Sequence, residues 1–150
     1  MKRMHLVRLL GAAALALNAT AWALDSGKTA QGWAYVSGGV GSDELHALHA
    51  RRDQFSLWVV TAARPSGAYL ADVRVQVIDA QHAVVFDQRL AGPWLFIEQL
   101  PGRYEIQATH KSETQTKVTT IRPGDHHQVL FYFDVAAQVL PPASKAASGG

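Results

Sequence analysis

The sequence predicts an all-β fold, an antiparallel β-sandwich of seven or eight short strands with one short helix near the start of its folded part. Three features carry that prediction. Apolar residues recur with a period of two in segment after segment from Phe55 to Val135. Turns rich in Gly and Pro separate those segments at short intervals. The amphipathic helices that a parallel sheet needs for its crossovers are missing from the pattern.

The elements follow in order. The segment GWAYVSGG sets Trp33, Tyr35 and Ser37 on one side of a first strand, after a short polar leader over residues 24–31, and Gly38, Gly39 and Gly41 end it. Ser42, Asp43 and Glu44 open a helical run, LHALHARR, in which Leu45 and Leu48 share a face. Acids at its start and Arg51 and Arg52 at its end match the helix dipole. Next, Phe55, Leu57, Val59 and Thr61 alternate with Ser56, Trp58 and Val60. Both sets are largely apolar, so this strand is expected at the centre of a sheet. After the turn Arg64-Pro65-Ser66-Gly67, a strand over residues 69–79 sets Val73, Val75 and Val77 against the more polar row of Arg74, Gln76 and Ile78. Asp79-Ala80-Gln81-His82 reads as a hairpin turn into AVVFDQRL, and Gly92-Pro93 divides that strand from WLFIEQL. In LPGRYEIQATH the inward set is Tyr104, Ile106 and Ala108, with the Tyr104 hydroxyl expected to bind backbone at a strand corner. The Thr-rich KVTTI, the turn Arg122-Pro123-Gly124-Asp125 and HHQVLFYFDV complete the sandwich. PPASKAASGG offers nothing large to bury, so residues 136–150 are expected to form a disordered tail.

The first 23 residues read differently. Lys2, Arg3 and Arg8 precede an apolar run from Leu9 to Leu17, and Ala21-Trp22-Ala23 supplies a small-x-small triplet. This is the layout of a secretory signal peptide, with cleavage expected after Ala23 and residues 24–135 delivered to the periplasm or beyond as a single domain. The apolar run is shorter than the roughly 20 residues that cross a bilayer, and no later segment is long enough, so no membrane span is expected in the mature chain. With no cysteine in the sequence, a thioether lipid anchor and disulfides are both excluded. Loss of residues 1–23 leaves eleven basic against twelve acidic residues. A near-neutral chain with scattered Lys and Arg offers no footprint for a phosphate backbone, which argues against nucleic acid as a partner.

Two longer stretches carry a resemblance. LADVRVQVIDAQHAVVFD gives a strand, a turn and a partner strand, and WLFIEQLPGRYEIQATH follows, where Leu100-Pro101-Gly102 leads into Tyr104. From about Leu70 to Val135 the chain thereby resembles the carboxypeptidase regulatory-like domain, a transthyretin-like or prealbumin-like sandwich of Ig-like type. It has one residue fewer between Pro101 and the tyrosine than the family's pattern. With YVSGGVG, SGAYLADVRV and GPWLF, it is also similar to a group of small exported proteobacterial proteins. The resemblance implies the fold and an accessory role such as spacer, carbohydrate-binding module or folding aid, and it brings no catalytic residues.

Several constellations bear on chemistry. His46 and His49, spaced i, i+3 on the expected helix, share a face and form a candidate pair for a metal; the adjacent His126 and His127 point to opposite sides of a strand. SGGVGSDE looks like an anion-binding loop at a helix N-terminus, but Asp43 and Glu44 already answer that dipole and would repel phosphate. No Gly-x-Ser-x-Gly elbow, cysteine nucleophile or flanking pair of carboxylates is present, and neither an enzymatic activity nor a cofactor is expected. The aromatics remain. Trp58 and Tyr104 are expected in the core, whereas Trp94, Tyr69 and Trp33 are the candidate contacts for a ligand or partner. The reading is a non-enzymatic, exported interaction domain that binds an envelope protein or polysaccharide through a loop end or a sheet edge. A carbohydrate-binding module using exposed aromatics is the alternative, and histidine-based metal binding comes third.

Overall fold

The computed structural model of the chain describes residues 24–135, and the expectations for residues 1–23 and 136–150 lie outside that range. Among the described residues there are nine strands: β1 (Asp25–Lys28), β2 (Ala34–Gly38), β3 (Leu57–Arg64), β4 (Arg74–Ile78), β5 (Val84–Arg89), β6 (Trp94–Ile97), β7 (Gly102–His110), β8 (Glu113–Ile121) and β9 (His127–Asp134). They form a five-stranded sheet ordered β1-β2-β6-β3-β9 and a four-stranded sheet ordered β5-β4-β7-β8. A helix, α1 (Ser42–His49), and a 3-10 turn (Arg52–Gln54) connect β2 to β3.

Alternation along the strands builds two cores. Leu57, Val59, Leu95, Ile97, Phe131 and Phe133 of the larger sheet meet Val75, Val77, Tyr104, Ile106 and Ala108 of the smaller one, which makes the all-β sandwich. The outer face of the larger sheet is apolar as well: Val36, Trp58, Val60, Trp94 and Phe96 pack with Leu48 of α1 and with Phe55. The helix therefore forms a third layer, and β3, flanked by β6 and β9, is buried on both faces as its sequence predicts.

Four readings are corrected. Residues Asp25–Lys28, expected in a polar leader, are strand β1; an edge strand with exposed side chains is held by its ladder to β2 and carries no apolar alternation. The sheets are not wholly antiparallel, because β3 and β9 pair in parallel over eight residues. The connection between them runs through the opposite sheet, so no crossover helix is needed. The strand expected over 69–79 begins only at Arg74, with Tyr69 making one isolated bridge to Ala62. Phe55 does not share a face with Leu57; the 3-10 turn before it delivers its ring to the second core beside Trp58.

The free strand edges are each blunted. β1 has four residues, and the β4–β5 ladder shifts register between Val77 and Ile78. On the other side, Gln115 and Lys117 of β8 donate to the carbonyls of Tyr132 and Leu130 on β9, each at 2.5 Å. Lys117 is the register partner of the buried Ile106, so it is an inward-pointing charge on an edge strand, a device against strand addition. Lys117→Val is accordingly expected to leave the melting temperature nearly unchanged while self-association appears in light scattering as concentration rises. A variant that scatters as the parent does at every concentration would refute the guard.

Candidate functional site

Register brings several connections to one end of the sandwich. Ile97 pairs with Tyr35 and Leu57, and Leu57 pairs with His127, so Trp33, Phe55-Ser56, Glu98–Pro101 and the Arg122–His126 turn converge there. Two concavities open at this end. One, of about 380 Å³, is lined by Asp53, Ser56, Glu98, Gln99, Arg122 and His126. The other, of about 300 Å³, is lined by Gln31, Trp33, Asp79, Gln81, Gln99 and Arg103. Gln99 and Pro101 contribute to both, which makes the β6–β7 loop their common wall.

That wall is tied down. The Ser56 hydroxyl donates to the Gln99 carbonyl and accepts from the Gln99 N–H, both at 2.9 Å. The Tyr104 hydroxyl donates to the Leu100 carbonyl at 2.7 Å, as its place at a strand corner predicts. Gln99 is 6% exposed, and its side-chain amide nitrogen has no partner among the described residues. Across the first concavity, His126 Nδ1 lies 2.8 Å from the Phe55 carbonyl oxygen. Because a carbonyl only accepts, that nitrogen carries the proton. The His126 ring stacks on Trp58 with centroids 5.3 Å apart, and the Arg52 guanidinium lies 4.1 Å from the same indole. Trp58 Nε1 in turn donates to the Arg52 carbonyl at 3.1 Å, which fixes the 3-10 turn against the sheet.

The expected site residues are divided between the two ends. Trp33 is half-buried and belongs to the loop end just described. Tyr69 is exposed at the opposite end, edge-on to Trp94 at 5.8 Å. Trp94, expected as a contact residue, is a core ring instead, 6% exposed. Its face of β6 is the one α1 covers, with His49 at 4.7 Å and Phe96 at 5.7 Å. His46 is exposed and His49 half-buried on α1. Burial chiefly, then the charge of Arg52 and the neighbouring His46, pushes the His49 imidazole below its ordinary pKa. Among the described residues, no group of three or more His, Cys, Asp or Glu side chains converges as a metal site would require.

Other polar groups already have partners. The Glu44 carboxylate accepts the Val40 N–H at 2.9 Å, occupying the place an anion would take in the glycine-rich loop. Asp72 pairs with Arg89 at 3.0 Å, and Asp87 pairs with Arg74 at 2.7 Å. The hydrogen bond from Arg74 holds the Asp87 carboxyl below the usual carboxylate range. The glutamines of the loop end escape a sequence reading because no motif marks them. The available signal was the polar pair Glu98-Gln99 set directly after WLFI and before Leu100-Pro101, at the close of an apolar strand.

Fold and site together define a small, three-layered β-sandwich with a rigid, polar, two-chambered loop end. No protein-family model and no curated protein matches the chain.

Proposed function

We propose that the chain is an exported, non-catalytic binding domain that engages an envelope component, protein or polysaccharide, through the loop end built around Gln99. The observation that carries this reading is the pair of adjoining concavities at a tied-down loop end, in a molecule whose strand edges are short, irregular in register or capped. Preorganised loops on a sandwich are where recognition residues gather, whereas β-augmentation needs an open edge. The Ser56 hydroxyl is engaged with backbone in both directions, which leaves it unsuited to act as a nucleophile. Export rests on the pattern of residues 1–23, and the resemblance of residues 70–135 to the carboxypeptidase regulatory-like domain fits an accessory sandwich.

Immobilised protein is expected to retain its partner from an envelope extract. Arg122→Glu combined with Asp125→Lys on the β8–β9 turn, or Gln31→Ala combined with Gln81→Ala in the second concavity, should reduce retention at least tenfold. Thr116→Lys, on the outer face of β8, should leave it unchanged. The reverse pattern, loss with Thr116→Lys and full retention by both loop-end variants, would move recognition to the sheet and overturn the proposal.

A further inference from the structure

The two chambers of the loop end differ in chemistry. The first gathers Asp53, Glu98 and Asp125 against Arg122 and has an acidic character. The second sets one carboxylate, Asp79, against one guanidinium, Arg103, and adds the amides of Gln31 and Gln81 and the indole of Trp33, with Gln99 in the wall common to both. Trp33 is the only tryptophan of the described residues that is not buried, since Trp58 is 8% and Trp94 6% exposed. A tight turn pins it: the Trp33 N–H donates to Thr29 Oγ1 at 3.1 Å, and the Thr29 N–H donates to the Trp33 carbonyl at 2.8 Å. Asp79 is oriented too, since its Oδ1 accepts the N–H groups of Gln81 and Ala83, each at 2.9 Å.

Each of these features favours one ligand chemistry. Amides both donate and accept, as sugar hydroxyls do, and an indole face matches the C–H face of a pyranose ring. One carboxylate and one guanidinium leave no net charge to attract an ion. An apolar or charged protein anchor would instead leave the amides unpaired on burial. A volume of about 300 Å³ stands at the lower end of the range for ligand sites, roughly 300–1,000 Å³, and suits a short stretch of a polymer.

We infer that the second chamber binds a neutral glycan, with Trp33 as the stacking platform and Gln31 and Gln81 bonding to its hydroxyls. This inference rests on the loop-end reading above. The test titrates the purified chain with neutral oligosaccharides (β-glucan, mannan and galactan fragments) and with an alginate fragment as the anionic comparison. The indole N–H resonance of Trp33 and the tryptophan emission serve as readouts. At least one neutral fragment is expected to shift that resonance, with affinity lowered tenfold or more by Trp33→Ala and by Gln81→Ala, and unchanged by Tyr69→Ala at the far end. Gln31 and Gln81 are exposed, so Gln31→Ala and Gln81→Ala decide the matter if Trp33→Ala fails to fold. Neutral-glycan binding untouched by Trp33→Ala and Gln81→Ala overturns the inference, and so does tighter binding of alginate. If no glycan binds but an envelope protein is retained and then lost with the Arg122→Glu, Asp125→Lys variant, the inference falls and the loop-end reading stands. If no retained component depends on either set of residues, both fall.

Discussion

Tyr104→Ala is expected to cost about 3–5 kcal/mol of stability, the loss typical of deleting a buried aromatic side chain. Tyr104 is 6% exposed within the core between the sheets, on the same face of β7 as Ile106 and Ala108. Its hydroxyl adds a second role by holding the Leu100 carbonyl of the loop that separates the two chambers. Tyr104→Phe, which removes only that bond, should cost about 0.5–1.5 kcal/mol. Domains of this size have about 5–15 kcal/mol in all, so the alanine variant should accumulate poorly and melt more than about 10 °C lower. Burial, and secondarily the charge of Asp79, raises the phenol above its ordinary pKa of 10.0. The unfolded phenol ionises first. This contribution is therefore intact below pH 10 and is lost as pH rises through the folded value. Thermal denaturation of both variants across that range is the measurement. An alanine variant melting within a degree or two of the parent would show that the ring is not part of the core.

Tyr104 shows what was legible. A Pro-Gly corner feeding an alternating strand is local chemistry, and the inward set Tyr104, Ile106 and Ala108 is the buried set. The Asp79–His82 hairpin turn and the helix opening at Ser42 were legible for the same reason. Relations distant in sequence were not. The parallel pairing of β3 with β9 joins residues about seventy positions apart, and nothing within either strand specifies its direction. Trp94 and Phe96 alternate with Leu95 and Ile97, and both pairs are apolar. Period two therefore separates the faces without telling which one faces the opposite sheet and which lies under α1. Trp33 stood out as a large aromatic of the expected first strand, but Gln31, Gln81 and Gln99 come from three different connections and acquire meaning only where the fold assembles them.

Phe96→Ala should bring a loss of similar size, about 3–5 kcal/mol, but spread differently through the molecule. Phe96 is wholly buried at the hub of the second core. Its ring centroid lies 5.7 Å from Trp94, 5.9 Å from both His49 and Trp58, and 6.0 Å from Phe55. Aromatic pairs in such arrangements contribute about 0.5–1.5 kcal/mol beyond their buried area, so the truncation removes several contacts at once. None of these partners belongs to the core between the sheets, and the two clusters have no residue in common although both draw on β2, β3 and β6. The α1 layer should therefore loosen before the sandwich does. Amide exchange in α1 and at Phe55 should accelerate by more than that of β7, while the β-rich far-ultraviolet spectrum persists. The consequence reaches the site, because Phe55 and Ser56 form one wall of the first chamber and Ser56 holds the Gln99 backbone. Exchange at the Gln99 N–H should rise with that of α1, coupling a core substitution to the loop end through two hydrogen bonds. If α1, Gln99 and β7 instead exchange together in a single step, the two cores form one cooperative unit and the helix is no separate layer.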